Sequence, residues 1–201
     1  MEIIVRHAKI DELEEVVRVE EETWPLEIRA SREKFKSRMN FFPQGFFGAY
    51  VNGKMVAVST AQIIRYPNKD LTSWERITDN GLIANSHTRE GNALYIVSLG
   101  VSRNYQGQGL GSKLLEAQKN LARELGLQYL VLGARIPGYH KYSHLPIDEY
   151  LALRKAGTSE PLDPEIRFYE RSGLEIAQII PNYMEDDPES RNYGAVMIWS
   201  P

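Results

Sequence analysis

The spacing of apolar and polar residues predicts a strand and two helices in the amino-terminal part of the chain. Residues 2–8 form the first predicted strand, and apolar side chains then recur at helical spacing from Asp11 to about Trp24. A second predicted helix begins near Ser31 and ends before Pro43.

A β-hairpin is predicted next. Two strands, 46–51 and 54–66, flank the pair Asn52-Gly53. This pair suits a two-residue turn in which both central residues have positive φ. The two strands are therefore expected to be antiparallel neighbours.

The middle of the chain predicts a βαβ unit. An apolar strand at 94–101 is followed by an amphipathic helix at 111–126 and by a second strand at 127–133. Such a unit places its two strands parallel and side by side in one sheet.

A short capped helix and two strands complete the pattern. Asp163 is the expected N-cap, Pro164 lies in the first turn and Gly173 lies just past the end of this helix. Strands near 174–180 and 195–199 follow. The predicted order is β-α-α-β-β-β-α-β-α-β-β, which describes an α/β protein.

The chain is expected to form one domain over residues 1–201, because this length is enough to bury a substantial core. Two segments exceed what the predicted strands and helices need, at about 67–92 and 134–162. Connections of this length inside a compact domain are usually functional or disordered.

A glycine-rich turn joins the strand 94–101 to the helix 111–126. Its sequence is Gln106-Gly107-Gln108-Gly109-Leu110-Gly111-Ser112. A strand that runs into such a turn before a helix directs backbone N–H groups and the positive end of the helix dipole at one point. The turn therefore predicts a site for a phosphate-bearing ligand.

Two common phosphate-binding motifs do not match. A Walker loop needs Gly-Lys-Ser/Thr at its end, whereas here Lys113 follows Ser112. A dinucleotide fingerprint needs two residues between its second and third glycines, whereas only Leu110 separates Gly109 from Gly111.

The remaining pattern, Gln-x-x-Gly-x-Gly, resembles the coenzyme A pyrophosphate loop of the Gcn5-related N-acetyltransferase (GNAT) superfamily, and the order of elements is also that of GNAT proteins. The resemblance implies a GNAT fold of the α/β (α+β) type, with a central mixed sheet of about six to seven strands flanked by helices. It also implies acetyl-CoA as co-substrate, bound along the end of the strand 94–101 and the glycine turn. The expected cofactor-binding residues are Leu99, Gly100, Val101, Gln106, Gly107, Gln108, Gly109, Leu110, Gly111 and Ser112.

The same resemblance implies a catalytic residue. Tyr169-Glu-Arg-Ser-Gly173-Leu174 matches the family pattern Tyr-x-x-x-Gly-Phe/Leu, so Tyr169 is the expected general acid for the departing thiolate. Proton transfer from a tyrosine of pKa ~10 to a thiolate of pKa ~8.5 is uphill by roughly 2 kcal/mol. Tyr169 must therefore be tuned by its surroundings, or it only donates a hydrogen bond to the sulfur; the alternative is an aromatic side chain that packs beside Phe168.

The sequence does not identify the general base. Many relatives use a glutamate near the fourth strand, but the strand 94–101 contains no carboxylate. Candidates that could approach from loops are His87, Glu90, Glu21 and Glu22, and each has an ordinary surface role as its alternative.

The second insert and a later segment that contains Tyr183 supply candidate acceptor-binding residues. It begins Arg135-Ile-Pro-Gly-Tyr-His-Lys-Tyr142 and, with segments 180–191 and 193–195, resembles the GNAT module fused to carbon-nitrogen hydrolases of the nitrilase type. The chain has no cysteine for the hydrolase nucleophile. The expected acceptor-binding residues, with ordinary loop packing as the alternative, are Tyr139, His140, Tyr142 and Tyr183. An acidic run either attracts a cationic amine or forms a solvated hairpin tip: Asp186, Asp187 and Glu189.

Composition narrows the class of partner. A net charge of -3 gives no general attraction to nucleic acid or to an anionic membrane, so small molecules are the expected partners. The amino terminus lacks the plan of a signal peptide and no apolar run is long enough to span a membrane, which predicts a cytoplasmic protein. Four scattered histidines and the absence of cysteine predict no metal site.

The predicted function is acyl-CoA-dependent N-acyl transfer, in which the amine of a small molecule or peptide attacks acetyl-CoA directly. One alternative is a coenzyme A-binding sensor or partner module without turnover. Another is a factor that modifies proteins or nucleic acids. A homodimer is compatible with the sequence, whereas the acceptor and the acyl chain length are left open.

Overall fold

The computed structural model describes residues 2–201 and contains one seven-stranded sheet. The strands are β1 Ile3–His7, β2 Phe47–Val51, β3 Lys54–Ile64, β4 Ala93–Val101, β5 Tyr129–Arg135, β6 Glu175–Ile180 and β7 Gly194–Trp199. Their order in the sheet is β1-β2-β3-β4-β5-β7-β6. Only β4 and β5 are parallel, and every other neighbouring pair is antiparallel.

Within the described residues, six α-helices accompany the sheet: α1 Leu13–Thr23, α2 Arg32–Phe41, α3 Trp74–Ile77, α4 Leu110–Glu124, α5 Ile147–Ala152 and α6 Pro164–Arg171. The predicted order of strands and longer helices is confirmed, and the mixed seven-stranded sheet is the predicted one. The two inserts contribute the short helices α3 and α5. Within residues 2–201, no helix combines the length and the apolarity that a membrane crossing needs.

The local signals behind these elements are visible in the backbone. Asn52 and Gly53 have φ of 48° and 82°, so the predicted two-residue hairpin turn is confirmed. β5 begins two residues later than predicted. Gly126 adopts a left-handed φ of 64° and the Leu127 N–H bonds back to the carbonyl of Ala122, so these residues complete the end of α4 instead.

Helices cover the sheet with two apolar clusters. On one face, Leu13, Val16 and Val19 of α1 and Phe35 and Met39 of α2 are buried against β2 and β3. On the other face, α4 packs its apolar side chains into the main core, which also contains the centres of β4, β5 and β7: Leu110, Leu114, Leu115, Leu121 and Ala122.

The parallel strands β4 and β5 pair over only part of their lengths. Ala93 to Ile96 pair with Tyr129 to Leu132, after which β4 continues beside β3 and β5 continues beside β7. A bulge at Val97 accompanies the separation, and the indole of Trp74 donates a hydrogen bond to the Val97 carbonyl at 2.9 Å. The two strands therefore diverge after Ile96 and Leu132 and leave a wedge-shaped opening between the end of β4 and the end of β5.

Asp163 joins the second insert to α6. One carboxylate oxygen accepts from the backbone N–H groups of Glu165 and Ile166 at 3.0 and 3.2 Å, as predicted for an N-cap. The other oxygen accepts from the Gly138 N–H at 2.9 Å and from the Tyr150 hydroxyl at 3.1 Å. The start of α6 is thus held against the insert, next to the wedge.

Candidate active site

The glycine turn presents an open backbone to the wedge. Gly107 and Gly109 have φ of 74° and 78°, in the left-handed region that favours glycine. A Cβ atom at either position would meet no other atom of the protein within 4 Å. Gly109 is the N-cap of α4, and the following residues, Leu110 to Lys113, include no acid. The first-turn N–H groups of α4 therefore have no capping side chain and no carboxylate within their own turn.

Side-chain amides hold this turn to the preceding segment. Gln106 donates to the carbonyl of Val101 at 3.1 Å, and Gln108 donates to the carbonyl of Asn104 at 3.4 Å. The contact of Gln106 ties the first residue of the turn to the end of β4.

One cleft of about 800 Å³ contains nearly all of the predicted cofactor-binding residues. Of the ten, only Gln108 is not among the residues that line the cleft. The opposite wall comes from the loop after α1 and from α6, through residues that include Trp24, Glu165, Phe168 and Tyr169. The structure thus brings Tyr169 to the same cleft as the glycine turn.

A smaller pocket of about 80 Å³ adjoins this cleft. Five residues line both spaces: Trp24, Leu99, Arg135, Glu165 and Tyr169. The deeper wall of the small pocket includes Glu20, Arg38, Trp74, Val97 and Ser98. We refer to it below as the inner pocket.

Tyr169 lies at the junction of the cleft and the inner pocket and is 9% exposed. Burial raises the pKa of Tyr169 well above its usual range, and the neighbouring Glu165 and Tyr95 raise it further. The phenol therefore stays protonated throughout the physiological range. A higher pKa makes full proton donation harder, so the surroundings favour a hydrogen-bond donor over a general acid.

Glu165 lies one helical turn before Tyr169 and lines the same two spaces. Burial raises the pKa of Glu165 to about 8, against the lowering effect of Arg135, whose Nη1 lies 3.8 Å from the carboxylate. The negative charges of Asp163, Asp187 and Glu189 raise it further. A carboxyl group with this pKa exchanges protons near neutral pH, as a general base must.

Glu165 was not among the site residues predicted from the sequence. The signal was present, because Glu165 precedes Tyr169 by four residues and the two side chains therefore share one face of the helix that Asp163 caps. What the sequence could not show is the burial that changes the pKa of this carboxyl group.

Arg135 organises the acidic side of the cleft. Its Nε and Nη2 atoms donate to the two carboxylate oxygens of Asp187 at 2.9 and 2.5 Å, and Nη2 also donates to Glu189 at 2.9 Å. Asp187 is only 1% exposed. The solvated hairpin tip considered for this acidic run is therefore wrong at Asp187, which is the buried partner of a bidentate ion pair.

The other base candidates lie outside the two spaces. Glu90 is exposed and pairs with Arg65 at 3.1 Å. The Nδ1 atom of His87 accepts a hydrogen bond from the Ile63 N–H at 3.1 Å, and its ring stacks on Phe42.

Glu21 and Glu22 also do not line the cleft or the inner pocket, whereas the adjacent Glu20 lines the inner pocket. Glu20 occupies the buried face of α1 at helical spacing, which is a visible signal for a carboxylate inside the protein.

The four predicted acceptor-binding residues are not brought into the cleft. Tyr183 is completely buried and its hydroxyl pairs with that of Tyr95. Tyr139 is 3% exposed and donates to the carbonyl of Leu145 at 2.8 Å. His140 and Tyr142 line a separate surface groove of about 370 Å³, which shares Pro164 and Glu189 with the cleft.

The packing of Tyr183 has a signal in the sequence. Gly133 and Gly194 face its ring, and a Cβ atom at either position would collide with it. Two glycines in neighbouring strands next to a tyrosine are typical of an aromatic side chain that crosses a sheet.

Comparison with known proteins agrees with this geometry. The sequence model of the acetyltransferase (GNAT) family matches residues 11–141. The chain is 32% identical over 203 residues to the protein named "Uncharacterized N-acetyltransferase YkwB" of Bacillus subtilis (strain 168), covering 98% of this chain and 88% of that protein.

A second relative is longer. The chain is 30% identical over 200 residues to "Probable hydrolase YhcX" of the same organism, covering 98% of this chain but only 38% of YhcX. Among solved structures, a "GphF GNAT-like decarboxylase in complex with isobutyryl-CoA" superimposes with a TM-score of 0.84 at 26% identity, covering 98% of each chain. This likeness confirms the predicted fold.

The environment of Glu165 predicts how stability depends on pH. The folded protein holds the carboxyl proton up to about pH 8, whereas the unfolded chain releases it near its ordinary pKa of 4.5. Because the unfolded state binds fewer protons in this window, the free energy of unfolding falls as pH rises from about 4.5 to 8. Glu165→Gln should remove this loss and gain on the order of 2 kcal/mol relative to wild type across the window, since the side chain keeps 27% exposure.

Urea denaturation of both proteins at several pH values measures this difference. The matched control is Glu149→Gln, which changes an exposed carboxylate on α5. A difference between wild type and Glu165→Gln that stays constant over the whole window would contradict the raised pKa.

Proposed function

We propose, since the chain belongs to the GNAT family of acetyltransferases, that it transfers an acetyl group from acetyl-CoA to a primary amine. The observation that carries the proposal is the single cleft that collects the glycine turn, the free end of β4, Glu165 and Tyr169. These parts match what acyl transfer needs: a held donor, a base for the amine, and a hydrogen-bond donor for the departing sulfur.

The pyrophosphate of coenzyme A would lie at the glycine turn. The N–H groups at the start of α4 have no capping side chain, and the helix dipole is positive at this end. The open space beside Gly107 and Gly109 leaves room for phosphate oxygens to approach the backbone.

The pantetheine arm would lie along the end of β4. After Ile96, this strand has β3 on one side only, because β5 has moved to β7. A strand edge with unpaired backbone groups suits an extended ligand with amide groups, which can add to the sheet as a further strand. Leu99, Gly100 and Val101 line the cleft at this position.

A basic groove of about 550 Å³ extends the cleft between α4 and α6. It shares Ser112, Pro164 and Phe168 with the cleft and is lined by Lys119, Arg167 and Arg171 and by one acid, Glu116. Arg171 already pairs with Glu160. The positive charges of Lys119 and Arg167 support binding of the nucleotide end of coenzyme A, which carries a further phosphate.

Glu165 and Tyr169 would divide the chemistry. Glu165 takes a proton from the ammonium form of the acceptor, and the neutral amine nitrogen then attacks the thioester carbonyl carbon. The carbon–sulfur bond breaks, and the Tyr169 hydroxyl donates a hydrogen bond to the thiolate that leaves. The proton still in excess on the new amide nitrogen passes to this thiolate, which gives coenzyme A as the free thiol. The raised pKa of Tyr169 supports this hydrogen-bonding role.

The acidic side of the cleft favours a cationic acceptor. Asp187 and Glu189 together outweigh the single positive charge of Arg135, and Glu189 lines the cleft. An acceptor long enough to leave the cleft past Glu189 would reach the groove lined by His140 and Tyr142. These two residues remain our candidates for acceptor contact, whereas Tyr139 and Tyr183 are packed inside the protein.

A second candidate reaction is decarboxylation of a carboxyacyl-CoA. It is favoured by the likeness to the GNAT-like decarboxylase, at 26% identity over 98% of the chain. In that reaction the bond to the carboxyl carbon breaks, CO₂ leaves, and the remaining enolate takes a proton. Release of CO₂ from malonyl-CoA without an amine and without free thiol would identify it.

The first prediction of this proposal concerns the glycine turn. Gly109→Asp places a negative charge where the pyrophosphate must lie, so the affinity for coenzyme A should fall by on the order of 2 kcal/mol or more. Isothermal titration calorimetry with coenzyme A measures the change.

Two controls separate charge from backbone strain. Gly109→Asn has nearly the same shape without the charge and tolerates a left-handed φ, so it should lose less affinity. Gly157→Asp introduces the same residue at an exposed glycine with a similar φ of 74° and open space, far from the cleft in sequence, and should bind as wild type does. Unchanged affinity in a folded Gly109→Asp protein would contradict the assignment of the turn.

The second prediction separates the two catalytic side chains. Glu165→Gln should lower kcat by about 10² to 10³-fold and remove the rise of rate with pH that has its midpoint near 8 in wild type. Tyr169→Phe should lower kcat by roughly 10 to 10²-fold and leave that pH profile unchanged, because it removes one hydrogen bond to a charged sulfur.

The assay measures free thiol released from acetyl-CoA with pooled amines, polyamines, amino acids and peptides, over pH 6 to 10. Glu149→Gln is again the control, with wild-type kinetics expected. Full kcat in Tyr169→Phe, or the wild-type pH profile in Glu165→Gln, would remove that residue from the mechanism. Coenzyme A binding without thiol release in any pool would instead support a module without turnover.

A further inference from the structure

Arg38 is a fully buried cation on the inner face of α2. The buried residues of this helix, Phe35, Arg38 and Met39, are spaced as one helical face, so a charged side chain occupies a position where apolar residues are the rule. Its exposed fraction is 0%.

The guanidinium group uses only part of its hydrogen-bonding capacity. Nε donates to the Gly81 carbonyl at 2.7 Å, and Nη1 donates to the hydroxyls of Thr60 and Ser98 at 3.3 and 3.1 Å. Nη2 is buried and has no hydrogen-bond partner among residues 2–201. A buried donor without a partner is unfavourable in a folded protein unless a ligand or water satisfies it.

No carboxylate in residues 2–201 forms an ion pair with Arg38 within 4.0 Å. Glu20 is the acidic group that acts on it through charge, but one Glu20 oxygen accepts from the Ala30 N–H at 2.8 Å. Burial raises the pKa of Glu20, which weakens any neutralising charge there. Burial lowers the pKa of Arg38 to about 10, so its charge persists at neutral pH.

The position of Arg38 relates it to the reacting end of the ligand. It lines the inner pocket together with Leu99 and Tyr169, which also line the cofactor cleft, and its Nη1 donates to Ser98, the residue before Leu99. The pocket, at about 80 Å³, holds several water-sized groups and not a long chain. A small group that extends past the thioester would therefore meet Arg38.

We infer that Arg38 binds a carboxylate of the substrate in the inner pocket. The inference rests on the proposed function, because it takes the thioester to lie at the junction near Tyr169. A carboxylate supplies both the negative charge that the buried guanidinium lacks and an acceptor for Nη2. The carboxylate belongs either to the acyl group of the coenzyme A thioester or to an amino-acid acceptor.

A purely structural role would leave part of Arg38 unexplained. The Gly81 carbonyl and the hydroxyls of Thr60 and Ser98 are satisfied by Nε and Nη1 alone. Aromatic rings of Phe35 and Trp74 lie 5.0 and 6.0 Å from the guanidinium carbon, but such contacts do not accept the Nη2 protons as an oxygen does.

Two calorimetric comparisons test the inference and distinguish the two sources. The first compares S-(2-carboxyethyl)-CoA with S-(2-carbamoylethyl)-CoA, stable thioethers that differ by a carboxylate against a neutral amide of the same shape. The second compares N-acetylglycine with N-acetylglycinamide, added to the protein saturated with coenzyme A. We expect the carboxylate to bind at least tenfold more tightly in one of the two comparisons, and that comparison identifies the source.

Variants then assign the preference to Arg38. Arg38→Met should reduce it to less than threefold, whereas Arg38→Lys should retain part of it. If Arg38→Met does not fold, the Nε–H resonance of Arg38, assigned by its loss in Arg38→Lys, should shift with the carboxylate probe and not with the amide. Equal binding of both members in both comparisons, a preference that survives Arg38→Met, or an unmoved Nε–H resonance would overturn the inference. Coenzyme A alone is titrated in parallel, since failure to bind it would count against the proposed function instead.

Discussion

The separation of β4 from β5 is the structural constraint on which the candidate site depends. Parallel strands normally pair along their shared length, but here pairing stops after Ile96 and Leu132. Two features stabilise the separation. The end of β5 forms its hydrogen bonds with β7, and the carbonyl of Val97, at the bulge, accepts a hydrogen bond from the indole of Trp74. Backbone groups at the end of β4 are thereby left for a ligand, at the point where the glycine turn begins.

The second constraint is the position of α6. Asp163 caps this helix and also binds Gly138 and Tyr150 of the second insert. The cap therefore fixes where Glu165 and Tyr169 enter the cleft. Tyr169 is almost completely buried there and Glu165 is partly buried, and burial raises the pKa of both side chains. The roles we propose for them, a base for Glu165 and a hydrogen-bond donor for Tyr169, rest on these shifts.

The two arginines of the site differ in whether an acidic side chain neutralises their charge. The charge of Arg135 is neutralised by ion pairs with Asp187 and Glu189. Glu165, at 3.8 Å, is the most distant of its three acidic partners. Arg38 has no such partner among residues 2–201, although it is more deeply buried. Both arginines therefore line the inner pocket, but only the charge of Arg135 is neutralised by ion pairs.

The sequence predicted most of the fold because its signals were local. Asn52-Gly53 predicted the hairpin, Asp163 the start of α6, and the glycine turn the start of α4, and the structure has all three. The family and its fold followed from the glycine pattern together with the element order.

The chemistry of the site was harder to predict, since it depends on contacts between distant segments. Glu165 differs from any exposed glutamate only through burial, and Asp187 meets Arg135 across 52 residues. Tyr139 in the second insert and Tyr183 in the connection between β6 and β7 suggested a pocket, but both rings pack into the interior. Arg38 shares helical spacing with the apolar Phe35 and Met39, so its place on the buried face of α2 was visible in the sequence, whereas its lack of a partner for Nη2 among residues 2–201 was not.

A crystal structure of the protein with a non-hydrolysable thioether of acetyl-CoA tests the central claim most directly. The account predicts the diphosphate within hydrogen-bond distance of the N–H groups of residues 107–112, the pantetheine amides paired with β4 at residues 99–101, and the sulfur next to the Tyr169 hydroxyl. A pantetheine arm outside the wedge between β4 and β5, or a diphosphate away from the glycine turn, would contradict it.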